Sequence, residues 1–420
     1  MTDTRVEHVP CLGCGCGCDD IAVTVRDGRI VEISPPCPVS RTWFGDGVVP
    51  WQVLRGGKPA KLDEALAEAA GLLTRESGRV LVYIGADLSS GSQRCAVGIA
   101  DLLRATIDTG TSPTAATGLL AAQRRGRATA TLGEIRNRAD VVLFWATDPI
   151  RRYPRFQSRY APQPAGTQIG NGRADRFVIS VHVGAEKAPV DADASLTLEP
   201  SEEIAALSLM RAAVAGNSPA DLTEPLKEAV ALVSRLSGAR YAALIHDAEP
   251  TEEPRNPLRV EGLIALAQAL NGPTRAALLS LRAGGNRLGA ESVLTWQSGF
   301  PSAVDYSRGY PRYEPEQRGL DRLEQRFSAV LIIGSAVFED RTTAALAKVP
   351  TVTIGPRASR AEFSPAVAID TGVAGIHEGG TGYRMDEVPL SLRPPLSATR
   401  SAVDVLTALR GAIRLRAGPV

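Results

Sequence analysis

The sequence predicts an α/β fold in which parallel sheets are covered by helices, preceded by a small β unit that carries a cluster of cysteines. Two patterns predict the sheets. Short apolar runs rich in Val, Ile and Leu recur at 80–84, 141–145, 177–183, 241–245, 277–281, 330–333 and 352–354, and runs without polar alternation are what strands buried on both faces require. Segments of helical periodicity lie between most of them, as in a chain of βα units. A third pattern predicts the β unit: alternating runs at 21–25 and 29–33 are joined through Asp27-Gly28, a dipeptide suited to the positive backbone angles of a tight hairpin.

Taken in order, Pro35, Pro36 and Pro38 close the β unit, and the polar stretch 55–59, Arg-Gly-Gly-Lys-Pro, reads as a linker. An amphipathic helix starts at Leu62, the strand 80–84 follows, and a second helix runs through Cys95 to Arg104. Pro200-Ser201 predicts a later helix capped by Ser201. The last helix covers 401–413. Two regions, 296–317 and 381–395, are dense in Gly, Pro, Tyr and Arg and are expected to be irregular loops of the kind that line sites or interfaces.

A chain of 420 residues with 44% hydrophobic composition is long enough for two or three domains. Lys and Arg number 47 against 46 for Asp and Glu. That balance leaves no basic excess for a phosphate backbone, so nucleic acid is not an expected partner. No run approaches the roughly eighteen apolar residues of a spanning helix, and the N-terminal residues lack a basic region followed by an apolar run. No membrane contact is expected, and a cytoplasmic location is the default expectation.

Five of the six cysteines fall between Cys11 and Cys37. In a reducing compartment such crowding points to metal rather than disulfides. Cys11, Cys14, Cys18 and Cys37 form a C-x2-C-x3-C-x18-C pattern, with Cys16 as an extra thiol and glycines at 13, 15 and 17. Thiolates are soft ligands, and the glycines let the backbone wrap closely around a compact group. Four thiolates in this pattern can hold one 4Fe–4S cluster. Zinc is the alternative, although two C-x2-C pairs would mark it better, and a remnant that binds nothing is the third reading.

Cys95 lies in a helical segment and reads as a small buried hydrophobe. The four histidines, His8, His182, His246 and His377, have no ligand spacing, and His182 and His246 read as structural. Arg152, Arg155 and Arg159 are spaced to form a basic face, for which solvation is the ordinary explanation and an anionic ligand or an acidic partner the functional one.

The N-terminal cysteine pattern followed by Asp19-Asp20 and a hairpin resembles the start of the molybdopterin-dependent oxidoreductases. Longer stretches narrow the resemblance: TLGEIRNRADVVLFWATDP from Thr131, PRFQSRY from Pro154, LTWQSGFPSAVDYSRGYPRYEP from Leu294 and GYRMDEVPLSLR from Gly382. Over nearly its whole length the chain resembles the B subunit of formylmethanofuran dehydrogenase. That resemblance implies a cluster-bearing β unit at 1–55, one α/β domain formed by 56–160 and 325–420, and a second α/β domain inserted at 161–324.

In that family the archaeal enzyme holds tungsten or molybdenum between two pterins and a protein cysteine, which lies shortly before a Gln-x-x-Gly element. Here the element is Gln123-Arg124-Arg125-Gly126, and the preceding GTSPTAATGLL from Gly110 contains no cysteine, nor does any position after Cys95. The ligand segment near Ser112 and Thr114 therefore reads as vestigial, with the tungsten or molybdenum pterin absent. Ser112 or Asp108 would be a harder ligand than thiolate.

The missing thiolate makes the chain look like the B subunit of the bacterial formyltransferase/hydrolase complex. That resemblance implies a scaffold without redox catalysis, in tetrahydromethanopterin-linked oxidation of formaldehyde to formate. The implied partners are an amidohydrolase-like A subunit, a C subunit and a formyltransferase D subunit. Tyr310, Arg312, Tyr313, Tyr383 and Arg384 are the candidate interface or channel residues, since Tyr and Arg are favoured at such surfaces. The alternatives are a tungsten- or molybdenum-pterin oxidoreductase subunit with a non-cysteine ligand, and an iron–sulfur electron-transfer protein.

Overall fold

The computed structural model describes residues 3–417 apart from 253, 318 and 336. The chain divides into two compact units, the first formed by 1–111, 284–384 and 389–420, the second by 112–283 with 385–388. The expected division was at 161 and 324. It falls earlier at both ends because the strand at 141–145 lies in the middle of the second unit's sheet, and the chain from 284 onward builds the first unit.

In the first unit β1 (Thr4–Val9), β2 (Ile21–Arg26) and β3 (Arg29–Ser34) make a three-stranded antiparallel sheet, followed by α1 (Pro38–Phe44). The stretch expected to be a linker is instead a hairpin, β4 (Val53–Arg55) with β5 (Lys58–Pro59). Gly56 and Gly57 have φ of 54° and 74°, so they form its turn. Then come α2 (Leu62–Thr74), β6 (Val80–Ile84), α3 (Ser90–Leu102) and β7 (Thr106–Thr109).

The second unit supplies α4 (Pro113–Arg125), α5 (Leu132–Arg138), β8 (Val141–Trp145), α6 (Phe156–Arg159), β9 (Phe177–Val183), β10 (Ala194–Leu198), α7 (Glu203–Val214), α8 (Leu226–Ser237), β11 (Ala242–Asp247), α9 (Arg259–Leu270) and β12 (Ala276–Leu281). Its strands form an all-parallel sheet in the order β10-β9-β8-β11-β12. Every residue of β8 and β11 is buried, which is why these runs show no alternation. Ser201 does not cap α7. The residue before the helix is Glu202, whose carboxylate accepts from the Glu199 amide at 2.9 Å, while Ser201 lies in the turn ahead of it.

Returning to the first unit, the chain forms α10 (Arg287–Ser298), β13 (Val304–Asp305), β14 (Arg312–Tyr313), α11 (Leu323–Arg326), β15 (Ala329–Ile333), α12 (Asp340–Leu346), β16 (Thr351–Gly355), β17 (Val367–Asp370), β18 (Gly380–Tyr383), β19 (Pro389–Leu392) and α13 (Ala402–Ala417). The sheet order is β14-β13-β7-β6-β15-β16-β17-β4-β5, with five central parallel strands and antiparallel pairs at both edges. Val80, Val82 and Ile84 of β6 face the core built with α2, α3, α10 and α13, while Leu81 faces a smaller one with Leu323, Phe327 and Leu346. Both regions expected to be irregular contain hairpins, β13–β14 and β18–β19. The fold is thus α/β with parallel sheets and a small N-terminal β unit.

Candidate functional site

The cysteine loop is the first candidate site. The Cys11 amide donates to the Cys18 carbonyl at 2.8 Å and the Gly17 amide to the Cys14 carbonyl at 3.3 Å, so the segment closes into a compact turn. Gly17 has φ of 51°, and a β-carbon there would lie 2.8 Å from a Leu390 methyl. At Gly13 a β-carbon would lie 2.8 Å from Cβ of Trp43. These glycines let the loop lie flat against its surroundings. Cys37 arrives from the other direction as the N-cap of α1, where its Sγ accepts the Ser40 amide at 3.3 Å.

Cys11 is the centre of the group. Burial raises its thiol above the ordinary range, the Gly13 amide opposes that by donating to the sulfur, and Cys14, Cys18 and Cys37 lie near enough for their charges to raise it further. The four cysteines that the spacing picks out are therefore neighbours, while Cys16 is buried in the same loop. Cys95 lies apart on α3, half-buried and 3.8 Å from the Thr407 hydroxyl. Among the described residues no group of three or more His, Cys, Asp and Glu side chains is disposed to hold a single metal ion. Trp43 leaves its buried indole Nε1 without a hydrogen-bond partner.

A glycine-rich support holds the loop. The Gly285 amide donates to the Leu12 carbonyl at 2.7 Å, and a β-carbon on Gly284 would sit 2.1 Å from that same oxygen. Asn286, 1% exposed, donates from Nδ2 to the Leu88 carbonyl at 2.8 Å and accepts the Tyr383 amide at 2.7 Å.

The carboxyl edge of this sheet is closed by backbone. In open α/β sheets ligands enter where the strand order reverses, here between β6 and β15. At that point the Gly85 amide donates to Ile333 at 2.7 Å, and Ala86 and Ser335 exchange bonds of 2.8 and 2.9 Å. A β-carbon at Gly334, where φ is 88°, would meet the Ala86 carbonyl.

The residues of the segment expected to be a vestigial ligand segment, and Asp108 before it, have other partners. The Asp108 carboxylate, 1% exposed, accepts the amides of Thr109, Ala303 and Gly319 at 2.9, 3.3 and 3.2 Å. Ser112 is the N-cap of α4, its hydroxyl accepting the Ala115 amide at 3.1 Å, and Thr114 is in the first turn.

Of the candidate interface residues, Tyr310 is 53% exposed. Arg312 pairs with Asp305 at 2.5 Å and Glu314 at 2.9 Å. Tyr313 stacks on Phe300 at 5.0 Å, Tyr383 meets Trp296 edge-on at 6.0 Å, and the Arg384 stem lies over Gly17.

The second unit contains a cluster that sequence reasoning missed. At the carboxyl edge of its sheet, Arg152, Arg255, Arg259 and Arg282 meet Glu186, Glu203, Asp247 and Glu249. Arg152 pairs with Asp247 at 2.9 Å, and Tyr153 donates to the other oxygen of that carboxylate at 3.2 Å. Arg152 is thus committed to an ion pair, and Arg159 lies over the Tyr160 ring at 5.4 Å. His246 bonds Ser280 through Nε2 at 2.7 Å, and burial together with Arg255 and Arg259 pushes its pKa down to about 3. The available signal was the placement of His246-Asp247 at a strand's carboxyl end. The carboxylates come from three separate segments.

No protein-family model matches the sequence. The chain is 33% identical over 411 residues to the B subunit of tungsten-containing formylmethanofuran dehydrogenase 2 from Methanocaldococcus jannaschii, covering 92% of this chain and 93% of that one. It is 31% identical over 411 residues to the B subunit of the same-named enzyme from Methanococcus maripaludis, covering 93% and 94%. Among solved structures it resembles a chain of the formyltransferase/hydrolase complex (FhcABCD) from Methylorubrum extorquens in complex with methylofuran. The TM-score is 0.72 at 23% identity, over 87% of this chain and 99% of that one, a likeness of fold. By its identity to the two archaeal proteins over nearly their full length, the chain belongs to the family of formylmethanofuran dehydrogenase B subunits.

Proposed function

We propose that this chain is the architectural B subunit of a formyltransferase/hydrolase-type complex that carries formyl groups from tetrahydromethanopterin toward formate, and that it performs no redox chemistry at a pterin-bound metal. The observation that carries the reading is that no cysteine follows Cys95, where the resemblance implies the metal's thiolate, in a chain that matches its relatives over 92% and 93% of its length. Asp108 and Ser112, the nearest substitutes, are already used by backbone amides. The molybdopterin-oxidoreductase ancestry of the fold is part of the same proposal.

The partners in this reading are the amidohydrolase-like A subunit, the C subunit and the formyltransferase D subunit. Trp296, 60% exposed, and Tyr310 supply rigid aromatic surface of the kind that anchors interfaces. Expressing the complex with and without this chain tests the role. Loss of assembly without it is expected, and unchanged assembly with unchanged formate release overturns it.

The cysteine loop favours a second reading alongside the first, in which Cys11, Cys14, Cys18 and Cys37 hold a 4Fe–4S cluster. Two features fit that group: four neighbouring thiols, and the Gly13 amide directed at a cysteine sulfur. When bound, such a cluster passes single electrons, with a potential set by hydrogen bonds and exposure. The chain's own part is to keep the thiolates close and largely dry. Iron, sulfide, tungsten and molybdenum analysis of anaerobically purified complex separates the readings. Iron and sulfide without the heavier metals is expected, and stoichiometric tungsten or molybdenum would restore the oxidoreductase alternative.

A further inference from the structure

The short helix after the N-terminal β unit sets a buried hydrogen-bond donor against the cysteine loop, and no group of the protein receives it. α1 begins after Cys37, its N-cap, and carries Val39 and Trp43 one turn apart on a single face. Both lie on Gly13: a β-carbon there would be 3.0 Å from a Val39 methyl, 2.8 Å from Trp43 Cβ and 3.3 Å from Trp43 Cγ. Only a residue without a side chain permits that approach. Trp43 also packs against the buried group Leu12, Ala374 and Leu392, so its indole is fixed beside the stretch from Cys11 to Cys14.

The indole Nε1, two bonds beyond Cγ, is buried, yet no acceptor of the protein lies within hydrogen-bonding reach of it. Trp145, the fully buried tryptophan of β8, instead donates to Glu203 at 2.7 Å. Buried donors left unpaired are rare in native proteins, and a redox role or a bound group is among the reasons for keeping one. The loop beneath Trp43 supplies such a reason. The Gly13 amide is directed at the Cys11 sulfur, and Cys14, Cys18 and Cys37 lie near that sulfur. A backbone donor and a side-chain donor thus sit on the one stretch where thiolates gather. Sulfurs that carry negative charge are suitable acceptors for both.

We propose that the Trp43 indole N–H donates to a sulfur of the 4Fe–4S cluster held by Cys11, Cys14, Cys18 and Cys37, and that this bond raises the cluster's reduction potential. The proposal rests on the cluster reading of the cysteine loop. A reduced cluster carries one more negative charge than an oxidised one, so a fixed donor favours the reduced form. Trp43 is a tuning residue and not a ligand: its loss moves the potential and leaves the iron in place.

The test compares anaerobically purified complex containing the wild-type chain or Trp43→Phe, by redox titration with iron and sulfide measured on the same samples. Phenylalanine keeps an aromatic ring against Gly13 and removes the N–H. Trp43→Phe is expected to retain iron and sulfide. At the wild-type midpoint its ratio of reduced to oxidised cluster should be about tenfold lower, a fall of about 59 mV for one electron. A retained cluster whose midpoint does not fall overturns the proposal and leaves the cluster reading intact. Wild type without iron and sulfide overturns both. If Trp43→Phe fails to fold or loses its iron, wild type with nitrogen-15 in its tryptophans decides: magnetic coupling of an indole nitrogen to the reduced cluster supports the bond, and absence of coupling overturns it.

Discussion

Asp386 accepts the backbone amide of Leu132 at 2.6 Å across 254 residues of sequence. The contact joins two of the stretches that carry the family resemblance. Thr131 and Glu134 form a capping box at the start of α5, and Asp386 satisfies the next amide of the same helix end. Glu387 beside it pairs with Arg127. The residues 385–388 thus return to the second unit to complete the N-terminus of one helix, and the motif is explained by capping.

Replacing that carboxylate should be costly. Asp386→Ala leaves the buried Leu132 amide without an acceptor and is expected to destabilise the chain by about 2 kcal/mol, whereas Asp386→Asn, which keeps an oxygen, should cost about half as much. Urea unfolding of the three proteins measures the difference. Equal stability of wild type and Asp386→Ala would show the bond to be dispensable.

A pH effect follows from Glu378. It is 6% exposed and accepts the Ala402 amide at 2.6 Å at the start of α13. Burial pushes its pKa up to about 7 from an ordinary 4.5, with the Ala402 amide acting against the shift and Asp404 adding to it. Because the folded value is the higher one, the folded state holds the proton more tightly. The stability this confers is present below about pH 4.5 and is lost as pH rises through 7. Glu378→Gln removes the titration, so its stability relative to wild type should increase between pH 5 and 8 by about 2 kcal/mol. A pH-independent difference between the two unfolding curves would be the contrary result.

The cysteine loop predicts a pattern of metal loss. Serine at Cys11, Cys14, Cys18 or Cys37 should each remove iron and sulfide from anaerobically purified protein, while Cys16→Ser and Cys95→Ser should retain them. Loss in Cys16→Ser with retention in Cys37→Ser would show that the assigned set of four is wrong.

Gly284 tests the support beneath that loop. Alanine there would place a β-carbon 2.1 Å from the Leu12 carbonyl and 2.7 Å from the Cys14 amide, a clash with backbone. Gly284→Ala is expected to lower stability by about 2 kcal/mol or more and to reduce iron content together with it. Wild-type Tm and wild-type iron in this variant would be inconsistent with the close approach.

The exposed aromatics predict a defect confined to assembly. Trp296→Ala and Tyr310→Ala remove side chains that are 60% and 53% exposed, so the isolated chain's Tm should move by less than about 1 °C. Affinity for the partner subunits should fall roughly tenfold or more, as pull-down or size-exclusion chromatography would report. Unchanged association in both variants removes these residues from the interface.

Apolar runs such as 80–84 and 141–145 were legible because strands buried on both faces must be apolar at every position. Several of the strands the sequence concealed are short or polar, among them β7, which contains Asp108, and the two-residue β13 and β14. β7 and β13 pair with each other from distant parts of the chain, a signal no local pattern contains. Gly56-Gly57 read as a linker because turn residues look alike whether or not the flanking residues pair.

The same distinction separates the two candidate sites. The cysteine spacing, the glycines between the thiols and the missing thiolate after Cys95 are properties of the sequence alone, because ligand identity and local reach are set by residue type over a short span. Tertiary structure alone decided the rest. It brought Cys37 to the loop from another direction, committed Asp108 to three amides, and gathered Glu186, Glu203, Asp247 and Arg259 at one sheet edge. Those side chains meet because strand order juxtaposes the ends of separate βα units, and the energy of a buried charge depends on what lies beside it in space.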